Sequence, residues 1–212
     1  MTRFHRDDKP GEHSMTRTRI SSLAAFAFIA SASPALAHLD PVEHGSFMAG
    51  FSHPLFGTDH ILATVAVGLW AALLSGRALW LVPLAFVGTM RAGFVAAMAG
   101  APLPFVEPVI LASVVVIGLL AAIALNVPTG AAMAMVGFFA FFHGHAHGGE
   151  IGEAGAYAYA AGFAIATGLL HAAGVAAGLF VGRLFGGDAG RTVTRIAGAL
   201  TALGGIWLAI GG

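Results

Sequence analysis

In the stretch TGAAMAMVGFFAFFHGHAHGGE, residues 129–150, a long apolar run leads directly into a cluster of histidines, and this pattern indicates how the chain folds. Its part at 129–147 is close to the roughly 20 residues that a helix needs to cross the hydrocarbon core of a bilayer. Similar apolar stretches occupy residues 58–75, 79–99, 108–125, 156–185 and 193–211. We therefore predict an all-α fold, a polytopic membrane helix bundle of six transmembrane helices.

The composition supports a location in a lipid bilayer and excludes several classes of function. Apolar residues make up 58% of the 212 positions and charged residues only 9%, whereas soluble domains have about 25% charged residues. The sequence has no basic patch that would indicate a nucleic-acid partner. It also has no cysteine, which excludes thiolate metal sites and cysteine nucleophiles.

The N-terminal segment is typical of a secretory signal peptide. Basic residues, a short apolar run and a segment of small residues follow one another up to Ala37, in the order that such peptides have. We predict a leader at 1–37 that contains a cleaved signal peptide at 15–37, followed by one six-helix transmembrane domain at 38–212. The alternative is a cytosolic extension at 1–14 on an uncleaved anchor helix.

The distribution of charge predicts the topology. Arginines lie near the turns after the first and fifth apolar stretches, at Arg77, Arg183, Arg191 and Arg195. Acidic residues lie on the alternate side, at Asp40, Glu43, Glu107, Glu150 and Glu153. By the positive-inside rule the arginine turns are cytoplasmic, so both ends of the mature chain are predicted to be periplasmic in a multi-pass protein of the bacterial inner membrane.

Histidines and carboxylates form two clusters, HPLFGTDH at 53–60 and FHGHAHGGE at 142–150. The first opens the first predicted span and the second closes the fourth, so both would lie at the outer end of the bundle. Ionisable residues inside a membrane are costly without a partner and indicate a functional site. One such histidine alone is more often structural, but two clusters together favour a metal or proton site.

Spacing selects the candidate ligands of the second cluster. At about 100° per residue on a helix, His143, His147 and Glu150 share one face. His145 points in nearly the opposite direction. Imidazole and carboxylate ligands suit Ni, Co and Zn, so this face can hold a divalent metal.

In the first cluster, His53 and His60 are seven residues apart and would share a face on a helix. Pro54 and Gly57 instead favour an irregular start to the first span. Asp59 can bind a metal directly, or it can accept a hydrogen bond from a ligating histidine and so fix the tautomer of that ring. The predicted metal ligands of the whole site are His53, Asp59, His60, His143, His147 and Glu150.

Other polar residues are secondary or pathway candidates. His171 lies near the middle of the fifth span, where a pathway role and a hydrogen-bonded structural role are equally open. His38 and His44 belong to an outer segment that can capture metal first. Glu107 is a loop acid or a gate, and His145 lies within the second cluster.

At these motifs the chain resembles the HupE/UreJ family of nickel permeases, whose members carry His-Pro-x-x-Gly-x-Asp-His and His-Gly-x-Ala-His-Gly-x-Glu. The two motifs occur here at 53–60 and 143–150, and the resemblance covers most of the mature chain. It implies uptake of Ni²⁺ through the six predicted ligands, with the metal destined for hydrogenase or urease maturation. Arg91 stands where this family is expected to have a neutral residue, and 1–14 has no counterpart.

The leading hypothesis is a secondary transporter, not an enzyme, that imports Ni²⁺, or alternatively Co²⁺, from periplasm to cytoplasm. The metal is its substrate, and no prosthetic group is expected. The alternative is an intramembrane zinc-dependent hydrolase, although the sequence has no His-Glu-x-x-His or Gly-x-Ser-x-Gly motif. A metal sensor or a docking protein for a metallochaperone is a third class, and assembly as a homo-oligomer stays open.

Overall fold

The computed structural model describes residues 46–151 and 155–211, and for Glu150 it describes the backbone alone. The predicted leader with its signal peptide, and the candidate ligands His38 and His44, lie outside the described residues. Statements about the fold below therefore concern the helical part of the chain.

The described residues form seven helices and no strand, which confirms the all-α prediction. In chain order the helices are α1 (Phe47–Phe56), α2 (Thr58–Leu74), α3 (Ala78–Met98), α4 (Val106–Ala122), α5 (Thr129–Glu150), α6 (Ala156–Phe185) and α7 (Gly187–Ala209). Each of the six apolar stretches in the sequence forms one helix, from α2 to α7. Helix α1 is additional.

Helix α1 corrects the expectation of an irregular start to the first span. Ser46 caps it, because the backbone N–H of Ala49 donates to the Ser46 hydroxyl oxygen at 3.0 Å. Pro54 lies inside the helix without ending it, and the irregularity is confined to Gly57, whose extended backbone separates α1 from α2. The two helices are bent by 79° at this break, which turns α1 across the end of α2.

Three helices among the described residues, α3, α6 and α7, are long and apolar enough to cross a membrane. The count rises to four if the bent pair α1 and α2 forms one span. Helix α4 is apolar but has 17 residues, which at 1.5 Å per residue reach about 26 Å, slightly less than a typical hydrocarbon core. The chain is a membrane protein, and its six-span topology stays a prediction.

Close helix packing holds the elements that carry the histidines. Helix α5 packs on α3, and α2 packs on α6. A Cβ atom at Gly144 of α5 would overlap the backbone carbonyl of Met90 in α3, and one at Gly68 of α2 would meet the backbone of α6 at Gly174. Glycine at these positions lets the helix backbones approach closely, which fixes α2 and α5 around a common interior.

Candidate metal centre

Three histidines from two helices converge in the interior of the bundle. His60 lies in the first turn of α2, and His143 and His147 lie one helical turn apart on α5. The Nε2 atom of His60 is 3.2 Å from Nδ1 of His143 and 3.2 Å from Nε2 of His147. His60 lies more than eighty positions before the other two histidines in the sequence, and the fold brings the three ring nitrogens together.

The cluster is shielded from solvent. His60 and His143 are almost fully buried, and His147 is 7% exposed. The ring of Phe163 from α6 packs against two of them, with its centroid 5.4 Å from that of His60 and 4.7 Å from that of His147. Polar groups in such surroundings are costly unless they have partners, so the cluster is a built site rather than a chance contact.

Neighbouring groups fix the tautomer of His143. The Ser113 hydroxyl of α4 donates to the Ile110 carbonyl at 2.6 Å, so its oxygen accepts a hydrogen bond from Nε2–H of His143 at 2.9 Å. A neutral imidazole carries one proton. The Nδ1 atom of His143 therefore presents a lone pair to His60.

The tautomer of His60 follows from Asp59 by the same reasoning. The Nδ1 atom of His60 lies 3.3 Å from the Asp59 carboxylate, which only accepts when ionised. The proton of His60 is therefore on Nδ1, and its Nε2 presents a second lone pair to Nδ1 of His143. Two facing lone pairs at 3.2 Å repel each other, and a proton or a metal ion held between them removes the repulsion.

The geometry suits a divalent first-row metal. Nitrogens bound at about 2.1 Å to one ion lie roughly 3.0 Å apart at right angles and roughly 3.4 Å apart at tetrahedral corners, and the measured separations of 3.2 Å fall between these values. Asp59, His60 and His143 each offer one ligand atom within 4.8 Å of the others. The Asp59 contact also matches the carboxylate–histidine–metal arrangement that orients many metal ligands.

The structure brings five of the six predicted ligands together. His53 lies on α1 at the exposed edge of the cluster, with its ring centroid 4.6 Å from that of His147 and 6.4 Å from that of His60. Glu150 ends α5, one helical turn after His147, and the position of its side chain is outside the described part. The five are His53, Asp59, His60, His143 and His147.

The secondary candidates occupy different places. The Nε2 atom of His145 is 2.7 Å from the Ala101 carbonyl, away from the cluster. Glu107 is exposed in the first turn of α4. His171 is fully buried in α6, and Arg91 lines a cavity of about 120 Å³ next to His147.

Sequence reasoning missed Ser113 and Phe163. Ser113 is a polar residue inside the apolar stretch 108–125, and that isolation was the available signal, because a buried hydroxyl in a span requires a partner. Phe163 gave no signal, since an aromatic residue in a span is most often core or lipid contact. Both contribute through contacts that only the folded chain creates.

We expect Ser113→Ala to weaken metal binding without unfolding the protein. The substitution removes the acceptor that holds the His143 ring and its tautomer, and losses of such supporting groups typically cost about 10–100-fold in metal affinity. Calorimetric titration of the purified protein with Ni²⁺ measures the change in Kd. Thr194→Val is the matched control, because the Thr194 hydroxyl bonds the carbonyl of Gly190 in its own helix, and an unchanged Kd for Ser113→Ala would contradict the assignment.

Comparison with known proteins agrees with the motifs and the geometry. Residues 26–208 match the family described as HupE / UreJ protein. The chain is 44% identical over 193 residues to Protein HupE of Rhizobium leguminosarum bv. viciae, a match that covers 90% of this chain and 96% of the relative. No solved structure matches the chain. On the family match and this relative, the chain belongs to the HupE/UreJ family.

Proposed function

We propose that this protein is a secondary transporter that imports Ni²⁺, with Co²⁺ as the alternative, from the periplasm to the cytoplasm. The observation that carries the proposal is the convergence of three buried imidazoles, with Nε2 of His60 3.2 Å from ring nitrogens of both His143 and His147. Membership of a family of metal permeases supports the same substrate class. We assign the bacterial inner membrane as its location, with both mature termini periplasmic.

The six motif residues take distinct roles in this proposal. His60, His143 and His147 bind the ion, and Asp59 holds His60 in the ligating tautomer. His53 is exposed, and its ring contacts that of His147, so it passes the ion from the periplasm to the buried ligands. Glu150 follows on the same face of α5 as a further carboxylate ligand, and the N-terminal His38 and His44 capture metal first.

The membrane potential is sufficient to drive the import of a dication. It contributes about 2.3 kcal/mol per charge at 100 mV, hence about 4.6 kcal/mol for a doubly charged ion, which corresponds to a gradient of roughly a thousandfold or more. Imidazole ligands alone do not select nickel, since affinity rises along the series toward copper. Selection therefore depends on the geometry of the site and on metal supply, and the imported ion would serve hydrogenase or urease maturation.

Uptake into proteoliposomes tests this function. With an inside-negative potential, we expect saturable accumulation of radiolabelled Ni²⁺ that collapses when the potential is removed. Competition by Co²⁺, Zn²⁺, Cu²⁺ and Mn²⁺ ranks the substrates. No flux above protein-free vesicles would refute the transporter, and zinc-dependent hydrolysis without flux would favour the intramembrane hydrolase.

A further inference from the structure

A second buried histidine lies on α6, outside the cluster formed by His60, His143 and His147. His171 is completely buried, and its Nδ1 atom lies 2.8 Å from the backbone carbonyl of Thr167. Since a carbonyl only accepts hydrogen bonds, Nδ1 carries the proton and Nε2 keeps a lone pair. Histidines that bind metals typically donate their other ring N–H to a carbonyl or carboxylate in this way.

Two buried polar atoms of α6 have no hydrogen-bond partner within residues 46–151 and 155–211. They are Nε2 of His171 and the hydroxyl oxygen of Thr167. Thr167 differs in this respect from Thr64, which is also fully buried and whose hydroxyl bonds the carbonyl four residues earlier in its own helix. Buried polar groups are seldom left unsatisfied, so a lone pair and a hydroxyl one helical turn apart indicate a bound species.

One aromatic ring contacts both His171 and the histidine cluster. The ring centroid of Phe86 in α3 lies 4.8 Å from that of His171 and 5.8 Å from that of His143. Phe86 is itself fully buried. The two histidines are therefore neighbours of the same buried ring, which places His171 close to the cluster.

We propose that Nε2 of His171 and the hydroxyl of Thr167 form a second binding station for the divalent cation, inside the bundle and beyond Phe86. The inference rests on the proposed transport function. A station with one imidazole and one neutral hydroxyl binds the ion more weakly than the three-histidine cluster, because it offers fewer ligands. Such a step lets the ion leave the cluster without returning to the periplasm, since conduction requires binding weak enough to release the ion.

Replacing His171 by cysteine tests the station. The natural sequence has no cysteine, so the introduced thiol is the one thiol of the variant. His171→Cys replaces an imidazole by a thiolate, which prefers soft ions such as Cd²⁺ over Ni²⁺. In proteoliposomes we expect Ni²⁺ uptake to fall at least tenfold and Cd²⁺ to block the remainder, with a cadmium–thiolate charge-transfer band in the purified protein. Thr201→Cys is the matched control, a buried position on α7, and should keep normal uptake without the band.

Thr167→Val is an independent test, because valine keeps the shape of the threonine side chain and replaces only its hydroxyl by a methyl group. We expect this variant to slow Ni²⁺ uptake several-fold, while the Kd of the three-histidine cluster for Ni²⁺ stays unchanged. If the His171→Cys protein does not fold, this variant carries the test. Normal uptake by Thr167→Val, or by a folded His171→Cys protein without Cd²⁺ sensitivity, would overturn the inference and assign the site to a structural water. Absence of flux in the unmodified protein would instead refute the transport function itself.

Discussion

His60→Ala is expected to abolish Ni²⁺ uptake. Within the cluster, His60 is the residue whose ring nitrogen lies within 3.2 Å of both other histidines, so its loss leaves only the two ligands of α5. Loss of a supporting group costs about 10–100-fold in metal affinity, and loss of the central ligand should exceed about 100-fold. Initial rates of radiolabelled Ni²⁺ uptake in proteoliposomes and the Kd from calorimetry measure the effect.

A graded series separates the role of His60 from general damage to the helix. His145→Ala removes an imidazole whose Nε2 contacts the Ala101 carbonyl and should leave uptake within about twofold of the original. Asp59→Asn keeps the shape of the side chain but not its charge, so we expect an intermediate loss of about 10–100-fold. Uptake by His60→Ala at the rate of His145→Ala would show that the ion does not pass through this cluster.

The spacing of residues in the sequence predicts much of the candidate site. The interval of four between His143 and His147 places both on one face of a helix, and the alternating direction of the spans places Asp59 and His60 at the same end. These inferences need only helix geometry and the charge distribution. The family motifs at 53–60 and 143–150 then imply the same residues independently.

Other features depend on tertiary contacts that no local pattern contains. The tautomer of His143 depends on Ser113, thirty residues away in the chain. That His171 lies near His143 depends on the packing of Phe86 from α3 against both rings. Helix α1 was missed because Pro54 is tolerated within it, although a proline inside a helix usually breaks or kinks it. Its Gly57 break is visible in the sequence as a glycine, but the 79° bend follows from packing.

The position of α5 against α3 depends on a backbone contact at Gly144, and Gly144→Ala is expected to destabilise the protein strongly. The added Cβ would overlap the carbonyl oxygen of Met90, which belongs to a helix backbone and cannot rotate aside. Excess volume in a packed core typically costs about 1–3 kcal/mol, and an overlap with backbone should reach or exceed the upper value. Gly144 also adjoins His143, so the displacement would move a metal ligand.

Gly149→Ala on the same helix provides the matched control, because a Cβ there meets no atom of the described part of the chain within 4 Å and alanine favours a helix over glycine by about 1 kcal/mol. Thermal unfolding in detergent and the yield of monodisperse protein compare the two variants. We expect a clear fall in Tm and yield for Gly144→Ala and none for Gly149→Ala. Equal stability of both would mean that α3 and α5 do not approach this closely. The convergence of His143 and His147 on His60 would then lose one of the helix contacts that support it.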